Sequence, residues 1–165
     1  MQTGKGVSDF HTGDRVVSNG NHAEYVVVNQ NLCTRIPDNT DIKEASFTVL
    51  GSIARHGLRL SETSLGSKVV VIGLGIIGQL VCRLAEAQGS EVIGIDPDTK
   101  RTDMSANFYT SVEEANMTNV DSVIITAATS SNEPIEVATK IARNKAKIVV
   151  VGDIPLNISR NDFYY

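Results

Sequence analysis

The chain has 165 residues, 41% of them hydrophobic and 21% charged, with a formal net charge of −4; that is enough to bury the core of one full domain plus part of another. Without basic runs or aromatic clusters it carries no electrostatic footprint for nucleic acid. No apolar run approaches the roughly 20 residues of a membrane-spanning helix and no signal-peptide core opens the chain, so a membrane partner is not expected either.

The two cysteines, Cys33 and Cys82, form no Cys-x-x-Cys pair and have no histidine at metal-ligand spacing, so both read as small buried apolar residues in a reducing cytoplasm. From Phe10 to Pro37 the pattern is β-like. Gly13-Asp14 turns into Arg15-Val16-Val17, and Asn19-Gly20-Asn21 turns into a strand over 23–28. Asp41 followed by Glu44 has the form of a capping box, after which Ala45, Val49, Ile53, Ala54 and Leu58 recur at helical spacing and predict one helix.

From Lys68 the rhythm becomes strand, helix, strand. Residues 69–72 predict a buried strand, 76–88 a helix with Gly89 as its C′ residue, and 92–95 the next strand. Further strands are predicted at 122–126 and 148–151, with Ile135 to Ala142 marking a helix between them. The polar stretch 98–119 predicts a stunted helix, a short strand near Phe108-Tyr109 and a helix from Val112 to Ala115. Alternation of this kind predicts an α/β fold with a Rossmann-type parallel sheet, because parallel strands need crossover connections.

Gly73-x-Gly75-x-x-Gly78 follows a strand, opens a helix and precedes an acid, Asp96, by about 20 residues, which together read as a dinucleotide-binding turn. Gly73 permits the tight turn, Gly75 a close backbone approach to a pyrophosphate, and Gly78 close packing of helix on strand. The amides around Leu74, Ile76 and Ile77 would face the phosphates at the helix N-terminus. Asp96 is placed to accept hydrogen bonds from the adenosine ribose and to repel a 2′-phosphate, which favours NAD over NADP. Arg101 is read either as a ribose contact or as a solvated charge. Thr126, Ala127 and Gly152 end sheet strands, where ligands of parallel sheets sit.

With these residues placed, the chain resembles the medium-chain dehydrogenase/reductase family, the zinc-type alcohol dehydrogenase relatives. The carriers are Gly13-Asp14-Arg15-Val16, Ala23-Glu24-Tyr25, Ile36-Pro37-Asp38, the helix through Ala45, and Gly73 to Gly78 with Asp96. Asn21-His22-Ala23-Glu24, Phe47 to Gly51, Ile93 to Asp98 and Ile154-Pro155-Leu156 resemble, more narrowly, the sugar-linked bi-domain oxidoreductases.

The resemblance implies a partial GroES-like β segment over 1–40, a connecting helix over 41–66, and an NAD-binding Rossmann domain over 67–165 lacking its last strand. It also implies hydride transfer between NAD(H) and a small-molecule alcohol or carbonyl, with a sugar derivative as one substrate class. A homodimer or a second oxidoreductase domain is left open as partner. The upstream segment that carries zinc ligands in the family is missing, and the third ligand position falls near Thr48, a poor ligand. The expectation is therefore an NAD site without zinc, on a chain that binds cofactor but does not complete the reaction. Arg101 falls where the family commonly carries a basic residue near the ribose.

No catalytic residue is identified. His11 precedes a turn, His22 sits in one and His56 lies on a helix; Thr48 and Ser52 border a nicotinamide site by resemblance only. No tyrosine has a lysine four residues on, as a short-chain dehydrogenase would require. The alternatives are a non-catalytic nucleotide-sensing regulatory module and an S-adenosylmethionine methyltransferase. The Gly-Asp-Arg-Val segment argues against the first, and the helix-packing third glycine against the second.

Overall fold

The structure, a computed structural model, describes residues 2–105 and 107–163. Its contacts divide the chain into one unit up to Val49 and another from Leu50. In the first, β1 (Val16–Ser18) pairs antiparallel with β2 (Cys33–Arg35), Val17 opposite Thr34. Arg35 ties this unit together through an ion pair with Asp14 at 3.0 Å and a hydrogen bond to the Asp9 carbonyl.

Two expectations for this unit are corrected. The strand expected over 23–28 does not form: the segment is a loop, and Val27 is fully exposed. Three consecutive valines favour extended backbone, but without a neighbouring strand to pair with that preference yields no ladder. Cys33 is only partly buried, unlike the inert core residue expected.

The single helix expected beyond Asp41 is two, α1 (Ile42–Ala45) and α2 (Thr48–Leu60). Asp41 caps α1 by accepting the Lys43 and Glu44 N–H groups. At the break, the Ser46 hydroxyl donates to the Lys43 carbonyl at 2.6 Å and the Thr48 hydroxyl to the Ala45 carbonyl at 2.7 Å. Hydroxyls that bond the preceding turn in this way compete with the helical ladder.

The second unit is a five-stranded sheet. In chain order it comprises β3 (Lys68–Ile72), α3 (Ile76–Ala87), β4 (Glu91–Ile95), α4 (Thr99–Thr102), β5 (Phe108–Tyr109), α5 (Val112–Ala115), β6 (Val120–Ile125), α6 (Glu133–Ile141) and β7 (Ala142–Val150). The spatial order is β5-β4-β3-β6-β7 with every pairing parallel. The chain thus builds outward from β3 in one direction, then returns to its other side at β6, which makes the β3/β6 boundary the topological switch point.

Strand alternation sorts the core into two faces. Val69 and Val71 pack with Val81, Cys82 and Ala85 of α3 and with Ala54 and Leu58 of α2; Val70 and Ile72 pack with Ile135, Ala138 and Ile141 of α6. Each fully buried aliphatic side chain contributes about 1.5–3 kcal/mol relative to exposure. Burial pushes the Cys82 thiol up to about 12, aided by Glu86, so the cysteine behaves as a hydrophobe. Gly89 adopts φ +87 behind α3, as expected of a C′ residue, and the stretch 98–119 holds the short helix, short strand and short helix read from its pattern. β7 starts earlier than expected and carries an irregularity opposite Val120 and Ser122, with Lys145 at φ +64.

Asp121 joins three elements at the opposite end of the sheet from the glycine turn. It accepts the Lys68 N–H at 2.7 Å and pairs with Arg143 at 2.7 Å, and these two interactions hold its carboxyl below the usual range. A depressed carboxyl stabilises the fold above its unfolded pKa and loses that contribution as pH falls through its folded pKa. D121N is therefore expected to lower the thermal midpoint at pH 7 by the equivalent of about 1 kcal/mol or less for this part-exposed pair. Thermal unfolding followed across pH should show wild type and variant converging below about pH 4.

Candidate functional site: the glycine turn at the sheet's switch point

β3 ends at Ile72, and the chain turns through Gly73 at φ +97 into α3. A Cβ at Gly73 would lie 2.6 Å from the Ala127 nitrogen, and one at Gly78 would collide with the Gly73 carbonyl and lie 2.7 Å from the Thr126 hydroxyl. A Cβ at Gly152 would collide with the Ala127 carbonyl. Gly73, Gly78, Thr126, Ala127 and Gly152 therefore converge at the carboxyl ends of β3, β6 and β7. Gly75 differs: nothing lies within 4 Å of the Cβ it lacks. The two closed glycines serve packing, and the open one leaves room above the turn.

The turn's own polar groups are held from several sides. Gly73 donates its N–H to the Ile95 carbonyl at 2.8 Å, and its carbonyl accepts the Thr126 hydroxyl at 2.6 Å. The Leu74 carbonyl accepts the Gln79 side-chain amide at 2.9 Å. The Leu74 N–H donates to Asp96 Oδ2 at 2.7 Å. The next amides, of Ile76, Ile77 and Gly78, open α3 and have no carbonyl four residues earlier within the helix. With the helix dipole behind them they carry the partial positive charge of a helix N-terminus.

Asp96 follows β4 and is 3% exposed. Oδ1 accepts the Asp98 N–H at 2.9 Å, and Oδ2 accepts both Leu74 and the Arg101 guanidinium, at 3.0 Å. Burial opposes ionisation of this carboxyl, but the two N–H groups and Arg101 outweigh it and hold the carboxyl below its usual range. Arg101 is itself raised by its hydrogen bond and ion pair with Asp96. It reaches Asp98 as well, at 3.6 Å, so Arg101 is an ion-paired side chain that stays half exposed to solvent.

Leu74 is wholly buried, whereas Ile76 is exposed and Ile77 half-buried on α3. Gln79 is the residue that sequence reasoning missed. The available signal was a lone amide one position after Gly78 on an otherwise apolar first turn. Gly94 is a second: a Cβ there would meet Phe108 at 2.5 Å and Leu74 at 2.7 Å, so it lets β4 approach the turn. His11, His22 and His56 are all exposed. Ser52 and His56 line an apolar-walled depression beside Val150 and Val151. Among the described residues no group of three or more His, Cys, Asp or Glu is placed to hold a metal ion, and no helix is long and apolar enough to cross a membrane.

Residues 39–160 match the family described as "D-isomer specific 2-hydroxyacid dehydrogenase, NAD binding domain". The chain belongs to this family of NAD-binding domains. Its relatives carry a different dehydrogenase name: 109 residues, 64% of the chain, are 35% identical to D-guloside 3-dehydrogenase of Escherichia coli strain K12. Galactitol-1-phosphate dehydrogenase from Escherichia coli superposes over 97% of the chain with a TM-score of 0.81 at 21% identity, and CAD from Helicobacter pylori, complexed with NADP(H), over 82% with 0.71 at 23%.

The two findings agree on the nucleotide-binding unit and part on what precedes it. The 2-hydroxyacid match begins at residue 39, beyond β1 and β2, whereas the galactitol-1-phosphate dehydrogenase fold covers nearly the whole chain. The fold is thus shared with galactitol-1-phosphate dehydrogenase, and D-guloside 3-dehydrogenase fits the sugar-linked resemblance read from the sequence. The chain spans 31% of the length of D-guloside 3-dehydrogenase and 59% of the galactitol-1-phosphate dehydrogenase chain.

The glycine geometry separates folding from access. G78A is expected to cost roughly 2 kcal/mol or more in chemical unfolding, since its methyl must displace backbone. G75A adds a methyl to open space and should unfold within about 0.5 kcal/mol of wild type.

Proposed function

We propose that the chain is the NAD-binding portion of a zinc-independent medium-chain oxidoreductase that moves hydride between NAD(H) and an alcohol or carbonyl, with a sugar derivative as the substrate class. The observation that carries this reading is the glycine turn at the switch point, closed at Gly73 and Gly78, open at Gly75, and bonded to a buried acid at the end of the adjacent strand. A turn of that form fits a pyrophosphate over Gly75 and the first amides of α3, with the adenosine ribose toward Asp96 and Arg101. Thr126, Ala127 and Gly152 border the same crevice with small groups that let a flat dinucleotide lie close.

When bound, the cofactor supplies the carbon that gives or takes hydride. The chain's residues contribute binding and orientation: α3 offsets phosphate charge, the closed glycines fix the strand-to-helix angle, and Asp96 selects a free 2′-hydroxyl over a 2′-phosphate. Arg101 moderates that selection by neutralising part of the acid's charge. Zinc independence is supported by the chemistry at Thr48, whose hydroxyl donates to the Ala45 carbonyl and is a poor ligand where Cys or a carboxylate is expected.

The domain reading that accompanies this proposal is a GroES-like segment over 1–40, a connecting helix over 41–66 and a Rossmann domain over 67–165. The antiparallel β1–β2 pair supports it over a stand-alone nucleotide-sensing module. Free Cys33 and Cys82 suit the reducing cytoplasm. The partners proposed are the small-molecule substrate and either a second copy of the chain or a further oxidoreductase domain.

Calorimetric titration is the test. NADH is expected to bind the isolated chain and NADPH to bind about tenfold or more weakly, with G75A losing NADH affinity while it retains its fold. Failure of both nucleotides at millimolar concentration would refute the proposal, and equal affinity would refute the assignment of selectivity to Asp96.

A further inference from the structure

The acid expected to meet the ribose is already committed elsewhere. Asp96 is 3% exposed, and Oδ2 accepts the Leu74 N–H at 2.7 Å. That amide lies between Gly73 and Gly75, within the turn. Glycine-rich backbone loses more entropy on ordering than any other, so a turn built on Gly73, Gly75 and Gly78 stays in one conformation only where outside groups hold it.

Four bonds do so: those of Gly73 N–H to Ile95, the Thr126 hydroxyl to Gly73, the Gln79 amide to Leu74, and Leu74 N–H to Asp96. Only the last engages a charged group, and charge-assisted bonds are the stronger kind. It also orients the peptide just before the open glycine, the position whose tilt sets the direction of the following amides.

We infer that Asp96 is a positioning residue for the glycine turn, holding the Leu74 peptide so that the amides beyond it meet a pyrophosphate, in addition to any contact with ribose hydroxyls. The inference rests on the reading of the turn as a dinucleotide site. It separates two effects that a simple substitution of Asp96 would merge. Loss of a ribose contact costs affinity only for ligands that carry the hydroxyls. Loss of the Leu74 bond costs affinity for every ligand that carries the pyrophosphate.

The test uses the full chain with ADP and with 2′,3′-dideoxy-ADP, which keeps the pyrophosphate and lacks both ribose hydroxyls, followed by amide shifts in NMR. D96A is expected to weaken dideoxy-ADP binding by about fivefold or more, in line with the cost of an unsatisfied buried N–H. D96N, whose amide oxygen can still accept from Leu74, is expected to restore most of that loss. Dideoxy-ADP binding by D96A equal to wild type would overturn the inference, as would D96N no better than D96A.

Should D96A not fold, amide hydrogen exchange on the wild type decides. Leu74 is expected to be protected well beyond Gly75, and equal exchange at the two would overturn the inference. If wild type binds neither nucleotide, the dinucleotide reading falls and takes this inference with it, whereas D96A equal to wild type on dideoxy-ADP, with wild type binding, removes the inference alone.

Discussion

The nucleotide-binding unit depends on one close approach, that of the β3–α3 turn to the end of β6. The Gly73 carbonyl sits where a side chain at Gly78 would be, and the backbone at Thr126 and Ala127 sits where a side chain at Gly73 would be. Two absent Cβ atoms thus let α3 start directly above β3 and lie along the face formed by Val69 and Val71. The Thr126 hydroxyl closes the contact by donating to the Gly73 carbonyl. Because β3 and β6 are the neighbours at which the sheet reverses its direction of growth, this approach lies at the switch point, with open space above Gly75.

Electrostatics then work on a scaffold that packing has set. Asp96 is buried and ionised, which is costly unless every oxygen is bonded. Leu74, Asp98 and Arg101 meet that need, and the result is an acid wired into the turn from one side and into α4 from the other. The short α4 is capped by Asp98, whose carboxylate accepts the Lys100 N–H, and that single turn presents Arg101 to Asp96. The stretch between β4 and β5 therefore delivers a basic group to the acid.

Much of the second unit was legible because burial on both faces writes a simple code. Continuous apolar runs at 69–72 and 123–125 read as buried parallel strands once a helical period separates them, and the three glycines with Asp96 mark the turn. The first unit was less legible. Val26, Val27 and Val28 look like a strand, yet pairing is a property of two segments and the sequence of one cannot supply its partner. The helix break at Ser46 and Phe47 arises from hydroxyl-to-carbonyl bonds that periodicity does not register. At the site, the glycines were read as a tight turn, a close approach and a packing contact, and the structure closes Gly73 and Gly78 while leaving Gly75 open. The bonds from the Gln79 amide to the Leu74 carbonyl and from the Leu74 N–H to Asp96 were hidden because they depend on the pitch of the turn.

On this proposal the open position at Gly75 receives a dinucleotide pyrophosphate while the closed positions hold the turn unchanged. A crystal structure of the chain grown with NADH tests it most directly. The expected result is phosphate oxygens over Gly75 and within hydrogen-bond distance of the first amides of α3, the adenosine ribose beside Asp96, and Gly73 and Gly78 as close to Thr126 and Ala127 as without nucleotide. Phosphate density elsewhere on the sheet, or a turn that must rebuild to admit the nucleotide, would contradict it.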